Sequence, residues 1–86
     1  MHKLNLVYFA WVKERLGKEQ EVLEFPAELE SVSDVIEFLR KQAPVYNEVF
    51  SDLTKLRFAL DQEFAPIDTA IGTAEELAIF PPVTGG

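Results

Sequence analysis

One amphipathic segment limits how this chain can fold. From about Val32 to Ala43, apolar residues recur at helical spacing while the opposite face is polar, and Ser31 or Ser33 can serve as the N-cap. Pro44 ends this helix. The segments on either side alternate apolar and polar residues, as strands do. One main helix among several short strands predicts an α+β fold, with the helix packed across one mixed sheet.

The remaining pattern predicts the order of the elements. Strands are predicted at residues 2–9, 19–25, 56–61, a short stretch ending near Pro66, and 77–80. Good helix formers from Ala10 to Leu16, followed by Gly17, indicate a short helix with a left-handed cap. A helical turn is expected within 45–52, a chain reversal at Asp61-Gln62, and an irregular connection over 67–75 with Gly72 as its flexible point.

Length and composition restrict the class of protein. A chain of 86 residues has room for one modest core, so we predict one domain over 1–81 and an extended tail over 82–86. Eight Lys and Arg against 15 Asp and Glu give a net charge of −7, which argues against nucleic acid as a partner. No segment has the pattern of a signal peptide or a membrane span, so we expect no membrane partner and a cytoplasmic protein.

The C-terminal residues form the most distinctive segment. Pro81 and Pro82 follow the last predicted strand and favour an extended stalk that projects from the sheet. Val83 and Thr84 suit extended backbone, while Gly85 and Gly86 lack a Cβ and can enter a narrow channel. Two terminal glycines arise by chance in roughly one chain in 200 at a background usage of about 7%. We therefore predict that the tail is functional.

The Gly86 carboxylate is the group on which chemistry is expected. A carboxylate is a poor electrophile and needs activation, for example by adenylation, which consumes ATP on another protein. The chain has no glycine-rich phosphate loop of its own. It also has no cysteine, so any sulfur that it carries must be held on the C-terminus as a thiocarboxylate.

Three segments resemble the small subunits of molybdopterin synthase, which are ubiquitin-like sulfur carriers. They are the ending FPPVTGG at 80–86, the aromatic-aromatic-alanine segment YFAWVKE at 8–14, and the central turn ALDQE at 59–63. The order and spacing cover essentially the whole chain. The family's turn often has asparagine where this chain has Asp61.

The resemblance implies a β-grasp fold and a function as one subunit of an enzyme. A ubiquitin-activating-like adenylyltransferase would adenylate Gly86, and a sulfur donor protein would supply the sulfur. The large subunit of molybdopterin synthase would bind the tail in a heterotetramer and provide the catalytic residues. The thiocarboxylate would donate sulfur to cyclic pyranopterin monophosphate, and the carrier itself would hold no permanent cofactor.

A docking surface is predicted from strand parity. Phe9, Phe64 and Phe80 fall on the side that the helix cannot cover, so they form either an exposed apolar patch beside the tail or part of the core. Lys13 and Arg57 are candidates for pairing with acids on a partner. His2 is the sole histidine and is expected at the surface, which gives no support to a histidine-rich metal site.

Three alternatives share parts of this pattern. A carrier for thiamine or cysteine synthesis would use the same thiocarboxylate. A ubiquitin-like modifier would join Gly86 to lysine side chains through the same activated carboxyl. A binding module with an inert tail would use neither reaction.

Overall fold

The computed structural model describes residues 2–82, which form five strands, three α-helices and one 3-10 helix. In chain order the elements are β1 (His2–Tyr8), α1 (Ala10–Leu16), β2 (Gln20–Phe25), α2 (Val32–Arg40), α3 (Pro44–Val49), the 3-10 helix (Leu53–Lys55), β3 (Arg57–Leu60), β4 (Glu63–Phe64) and β5 (Glu76–Phe80). The predicted α+β class is confirmed. Within residues 2–82, no helix is long and apolar enough to cross a membrane.

The strands form one mixed sheet in the order β2-β1-β5-β3-β4. β5 lies at the centre, parallel to β1 and antiparallel to β3. β1 pairs with β2 and β3 pairs with β4, and both pairs are antiparallel. β5 is therefore held on both sides, and it carries the backbone directly to Pro81.

Alternate residues of the strands face the helices and build the core. Leu4, Leu6 and Tyr8 of β1 are buried, as are Leu77 and Ile79 of β5. The core is completed by side chains of α2, all of them at most 1% exposed: Val32, Val35, Ile36 and Leu39. Burial of each such side chain contributes about 1.5–3 kcal/mol before the entropy cost of folding. The helix-facing side of the sheet is thus the main source of stability.

The short helix α1 has the predicted boundaries and the predicted cap. Gly17 adopts φ 75°, and its N–H donates to the carbonyl of Lys13 at 2.9 Å. This left-handed cap lets the chain reverse into β2 without the steric strain that a Cβ would introduce.

The main helix begins where predicted but ends earlier. Ser31 is the N-cap: its Oγ accepts the Asp34 N–H at 3.2 Å, and its own N–H donates to the Asp34 carboxylate at 3.1 Å. These reciprocal bonds form a capping box. The prediction that the helix reaches Ala43 was wrong, because α2 ends at Arg40 and residues 41–42 form a turn.

Pro44 explains why Ala43 is not part of α2. It starts α3, and the residue before it, Ala43, is extended (φ −161°, ψ 153°). A proline fits the first turn of a helix and disfavours helical backbone in the preceding residue. The helical turn predicted within 45–52 is confirmed as part of α3, which begins one residue earlier.

Candidate functional site

The central strand β5 leads directly to Pro81 and Pro82. Phe80 is its last residue and lies opposite Arg57 of β3, and Pro81 and Pro82 follow outside any strand, half-buried. Proline has no N–H to continue the ladder. Val83, Thr84, Gly85 and Gly86 lie outside the described residues, so the predictions for these four positions stay predictions.

Three phenylalanines meet at this end of β5. The ring centroids of Phe9 and Phe80 are 6.5 Å apart in an edge-on arrangement, and those of Phe64 and Phe80 are 5.9 Å apart. Phe64 is 78% exposed and Phe9 is 49% exposed. The alternative that these rings are core residues is excluded for Phe9 and Phe64. We call Phe9, Phe64 and Phe80 the aromatic cluster.

The register of the sheet explains how the aromatic cluster is supported. Val7, Ala78, Ala59 and Phe64 are consecutive cross-strand partners, so they form one row on the face opposite the core. Ala59 and Ala78 are each only 8% exposed. These small side chains are nearly covered by their neighbours, so the exposed apolar surface on this face comes mainly from Phe9 and Phe64.

The backbone just after β1 positions Phe9. Its N–H donates to the carbonyl of Ile79 at 3.2 Å, and the next residue, Ala10, has φ 53°. A non-glycine residue in this region carries strain of about 1 kcal/mol. The strained junction ends β1 and begins α1, and it holds Phe9 next to β5.

Lys13 lies on α1 beside the aromatic cluster. A shallow depression is lined by Phe9, Ala10 and Lys13 together with the Glu19 carboxylate. The Lys13 ammonium is 4.0 Å from Glu19, and both side chains are exposed. Such a surface pair holds the cation only weakly, so it stays accessible to a partner.

A carboxylate on the core side of the sheet joins three elements. The hydroxyls of Tyr8 and Tyr46 both donate to Glu21 Oε2 at 2.6 Å, and Lys18 donates to Oε1 at 3.3 Å. Burial disfavours the ionised carboxylate, but the hydrogen bonds from Tyr46, Tyr8 and Lys18 outweigh it and lower the pKa of Glu21. Burial and the bond to Glu21 raise the pKa of each tyrosine.

These hydrogen bonds tie α3 to the antiparallel pair of β1 and β2. Sequence reasoning missed this role of Glu21. Its parity with Leu23 and Phe25, which places it on the inward side of β2, was the available signal.

The sequence matches the ThiS family over residues 6–86, a range that includes β5 and the glycine-containing end. This chain belongs to the ThiS family.

Individual relatives match over their full length. The chain is 33% identical to the molybdopterin synthase sulfur carrier subunit of Dictyostelium discoideum, with 99% of this chain and 98% of that protein covered. It is 31% identical to the molybdopterin synthase sulfur carrier subunit of Haemophilus influenzae, with 96% and 99% covered. The family resemblance predicted from three short segments is therefore confirmed across the whole chain.

Solved structures resemble the fold of this ThiS-family chain. The crystal structure of SAMP1, the small archaeal modifier protein 1 of Haloferax volcanii, superposes with a TM-score of 0.75 at 26% identity, covering 99% of this chain and all of that one. The predicted ubiquitin-like β-grasp fold is confirmed.

The central turn of this ThiS-family chain tolerates its aspartate. Asp61 and Gln62 have φ 48° and 72°, and Asp61 Oδ1 accepts the N–H groups of Glu75 and Glu76, both at 3.0 Å. An asparagine side chain offers an equivalent oxygen at the same position. Asp61, where the family often has asparagine, therefore preserves the hydrogen bonds that join this turn to the start of β5.

The remaining candidate residues, His2 and Arg57, both lie at the surface. His2 is exposed, as predicted, and its ring centroid is 5.5 Å from that of Phe25. Within residues 2–82, no group of three or more His, Asp or Glu side chains is placed to hold a metal ion. Arg57 is exposed on β3 and donates to two backbone carbonyls.

Proposed function

We propose that this chain is the sulfur-carrier small subunit of a molybdopterin synthase. The observation that carries the proposal is the full-length match to sulfur carrier subunits of that enzyme. The fold supports it, because the central strand leads into Pro81-Pro82 next to an exposed aromatic cluster. The domain is then a rigid support that presents a reactive end to other proteins.

The proposed chemistry takes place on the carboxyl group of Gly86. An oxygen of this carboxylate attacks the α-phosphorus of ATP on an adenylyltransferase, which forms the acyl adenylate and releases pyrophosphate. Hydrosulfide supplied by the donor protein then attacks the carbonyl carbon, AMP leaves, and the S–H proton is lost to solvent. The thiocarboxylate that results gives its sulfur to cyclic pyranopterin monophosphate, and a carboxylate is regenerated as water supplies the oxygen.

The proposal divides the work between this chain and its partners. The large subunit supplies the catalytic groups, the carrier supplies sulfur, and no cofactor stays bound to the carrier. A dithiolene holds two sulfur atoms, so each product consumes two thiocarboxylates, consistent with two carriers in a heterotetramer. Because activation consumes ATP, we place the reaction in the cytoplasm.

The aromatic cluster and Lys13 are the proposed docking residues. Desolvation of Phe9, Phe64 and Phe80 by a partner provides apolar binding energy close to the point where the tail leaves. Lys13 lies at the margin of the same surface and favours a partner with an acidic residue there. Activating enzyme and large subunit both need to hold the tail, so both are expected to bind this surface in turn.

Mass spectrometry of the intact chain tests the chemistry. After incubation with an adenylyltransferase, ATP and a sulfur source, we expect a mass increase equal to the replacement of one oxygen by sulfur. Oxidation of Met1 gives nearly the same increase, so the sample is also treated with iodoacetamide. The chain has no cysteine, and the thiocarboxylate is therefore the group expected to react with this reagent.

A variant without Gly86, folded as judged by circular dichroism, is the matched control and should acquire no label. The labelled protein is then mixed with the large subunit and cyclic pyranopterin monophosphate. A dithiolene product supports the proposal, and its absence with a competent large subunit contradicts it. A branched Gly-Gly remnant on lysines of other proteins would instead identify a modifier.

A further inference from the structure

An apolar groove adjoins the aromatic cluster at the edge of the sheet. It has a volume of about 460 Å³ and lies between the 3-10 helix, the start of β3 and residues 64–67. Its apolar walls include Leu53, Leu56, Phe58, Phe64 and Ile67. Phe64 belongs both to this groove and to the aromatic cluster, so the two surfaces are continuous.

Arg57 is the one charged residue among those that line the groove. It lies opposite Phe80, the last residue of β5. Its Nη1 donates to the carbonyls of Leu56 at 2.8 Å and Thr54 at 3.3 Å. These bonds hold the guanidinium in place and reduce the entropy that binding would otherwise cost.

The charge of Arg57 is not neutralised within the described part of the fold. Among residues 2–82, no carboxylate lies within 4.0 Å of it, although five other cations have such a partner: Lys3, Lys13, Arg15, Lys18 and Arg40. The Nε and Nη2 donors of Arg57 make no hydrogen bond to residues of this range. One edge of the guanidinium is thus available for a two-point contact with a carboxylate.

We propose that this groove binds a segment of the tail-accepting partner that carries an apolar side chain next to an Asp or Glu. The apolar side chain fills the groove against Leu53 and Ile67, and the carboxylate pairs with Arg57. The inference rests on the proposed function, because it assigns the segment to the large subunit that receives the tail. It adds a second contact, which fixes the orientation of the carrier about the axis of its tail.

The orientation matters because the aromatic cluster alone is a nearly non-directional contact. Apolar burial depends on area and is insensitive to rotation, whereas an arginine and carboxylate pair has a defined geometry. A charged contact at the groove therefore selects one angle at which the carrier approaches the partner. It also selects against partners that present a cation there.

Isothermal titration calorimetry with the purified large subunit of the same organism tests the charge contact. The full chain is compared with Arg57→Glu and with Lys41→Glu, which makes the same charge change at an exposed site at the end of α2. We expect Arg57→Glu to weaken binding at least about tenfold relative to Lys41→Glu. Arg57→Lys, which keeps the charge but loses the planar fork, should fall between wild type and Arg57→Glu.

A second measurement does not depend on Arg57. Amide chemical shifts of the isotopically labelled wild-type chain are followed during titration with the large subunit. We expect changes at the 3-10 helix and at Ile67 as well as at the aromatic cluster. The variant Leu53→Asn, which makes the groove wall polar, should weaken binding by about fivefold or more while its thermal unfolding shows a folded chain.

The outcomes separate this inference from the proposed function. If wild type binds and Arg57→Glu equals Lys41→Glu, with no shift changes at the groove, the inference is overturned and the sulfur-carrier function stands. If the wild-type chain does not bind this large subunit, and the large subunit is shown to be active with another sulfur carrier, the proposed function fails and the inference fails with it. Loss of binding in Arg57→Glu and Leu53→Asn, with Lys41→Glu unchanged, supports the groove.

Discussion

The two faces of the β-sheet share the same strands but have opposite properties. On the face covered by the helices, Leu77 and Ile79 of β5 are completely buried. On the open face, Phe80 of the same strand joins Phe64, which is 78% exposed. Consecutive residues of one strand thus serve stability and recognition separately. Substitutions on the two faces should therefore have separable effects, which the following experiments measure.

The largest expected effect is on the covered face. Leu77→Ala should lower the free energy of unfolding by about 2–5 kcal/mol, because it leaves a cavity where a fully buried side chain was packed. Urea denaturation followed by circular dichroism measures the change. Replacement of the exposed Val22 by Ala is the control and should alter stability by less than about 0.5 kcal/mol. Equal losses in both variants would contradict the division between faces.

On the open face, Phe64→Ala should weaken binding to the large subunit by about 2 kcal/mol, or roughly 30-fold, with little loss of stability. The ring is exposed in the free chain and is desolvated only in the complex. Val22→Ala is again the control, since Val22 is 66% exposed and lies on the edge strand at the other side of the sheet. If Phe64→Ala bound the large subunit as tightly as Val22→Ala, the aromatic cluster would not be part of the binding interface.

Glu21 is a half-buried carboxylate on the covered side of the sheet. Glu21→Gln should lower the free energy of unfolding at neutral pH by about 1–2 kcal/mol, because the amide replaces a carboxylate that accepts hydrogen bonds from two tyrosines and a lysine. Glu24→Gln is the matched control on the same strand, where the carboxylate is exposed and pairs with the exposed Lys3.

The same residue predicts a pH dependence with a definite sign. The pKa of Glu21 is lower in the folded chain than its ordinary value of 4.5, so the unfolded chain binds the proton more readily. Its contribution to stability is fully present above about pH 4.5 and is lost as the pH falls through the lower folded-state pKa. Between about pH 7 and pH 3, wild type should lose more stability than Glu21→Gln. If the free energies of unfolding of the two proteins changed in parallel with pH, these hydrogen bonds would not favour the ionised form of Glu21 over the protonated form.

The smallest effect is expected at the turn between β3 and β4. Asp61→Asn keeps an oxygen that can accept the N–H groups of Glu75 and Glu76, so stability should change by less than about 0.5 kcal/mol. Asp61→Ala removes that oxygen and should cost about 1–2 kcal/mol. Thermal unfolding of the two variants distinguishes these values. If Asn proved as harmful as Ala, the charge of Asp61 would be required as well as its geometry.

Much of the fold followed from local patterns. The alternation in β1, the helical spacing of α2 and the left-handed cap at Gly17 were all predicted correctly, because each depends on residues close in sequence. The end of α2 was not predicted correctly. The helical pattern continues to Ala43, but α2 ends at Arg40 and Pro44 starts a separate helix. The tail residues Val83 to Gly86 were assigned their role from composition and family resemblance, and that role remains a prediction.

The sequence by itself determined the order of elements, the buried parity of the strands and the absence of any thiol, since these depend on periodicity and composition. Only the tertiary structure decided which distant residues meet. The aromatic cluster combines β4, β5 and the residue after β1, and the carboxylate of Glu21 receives hydrogen bonds from residues 13 and 25 positions away. The physical reason is that pairing between strands and packing of helices bring together residues whose separation along the chain carries no periodic signal.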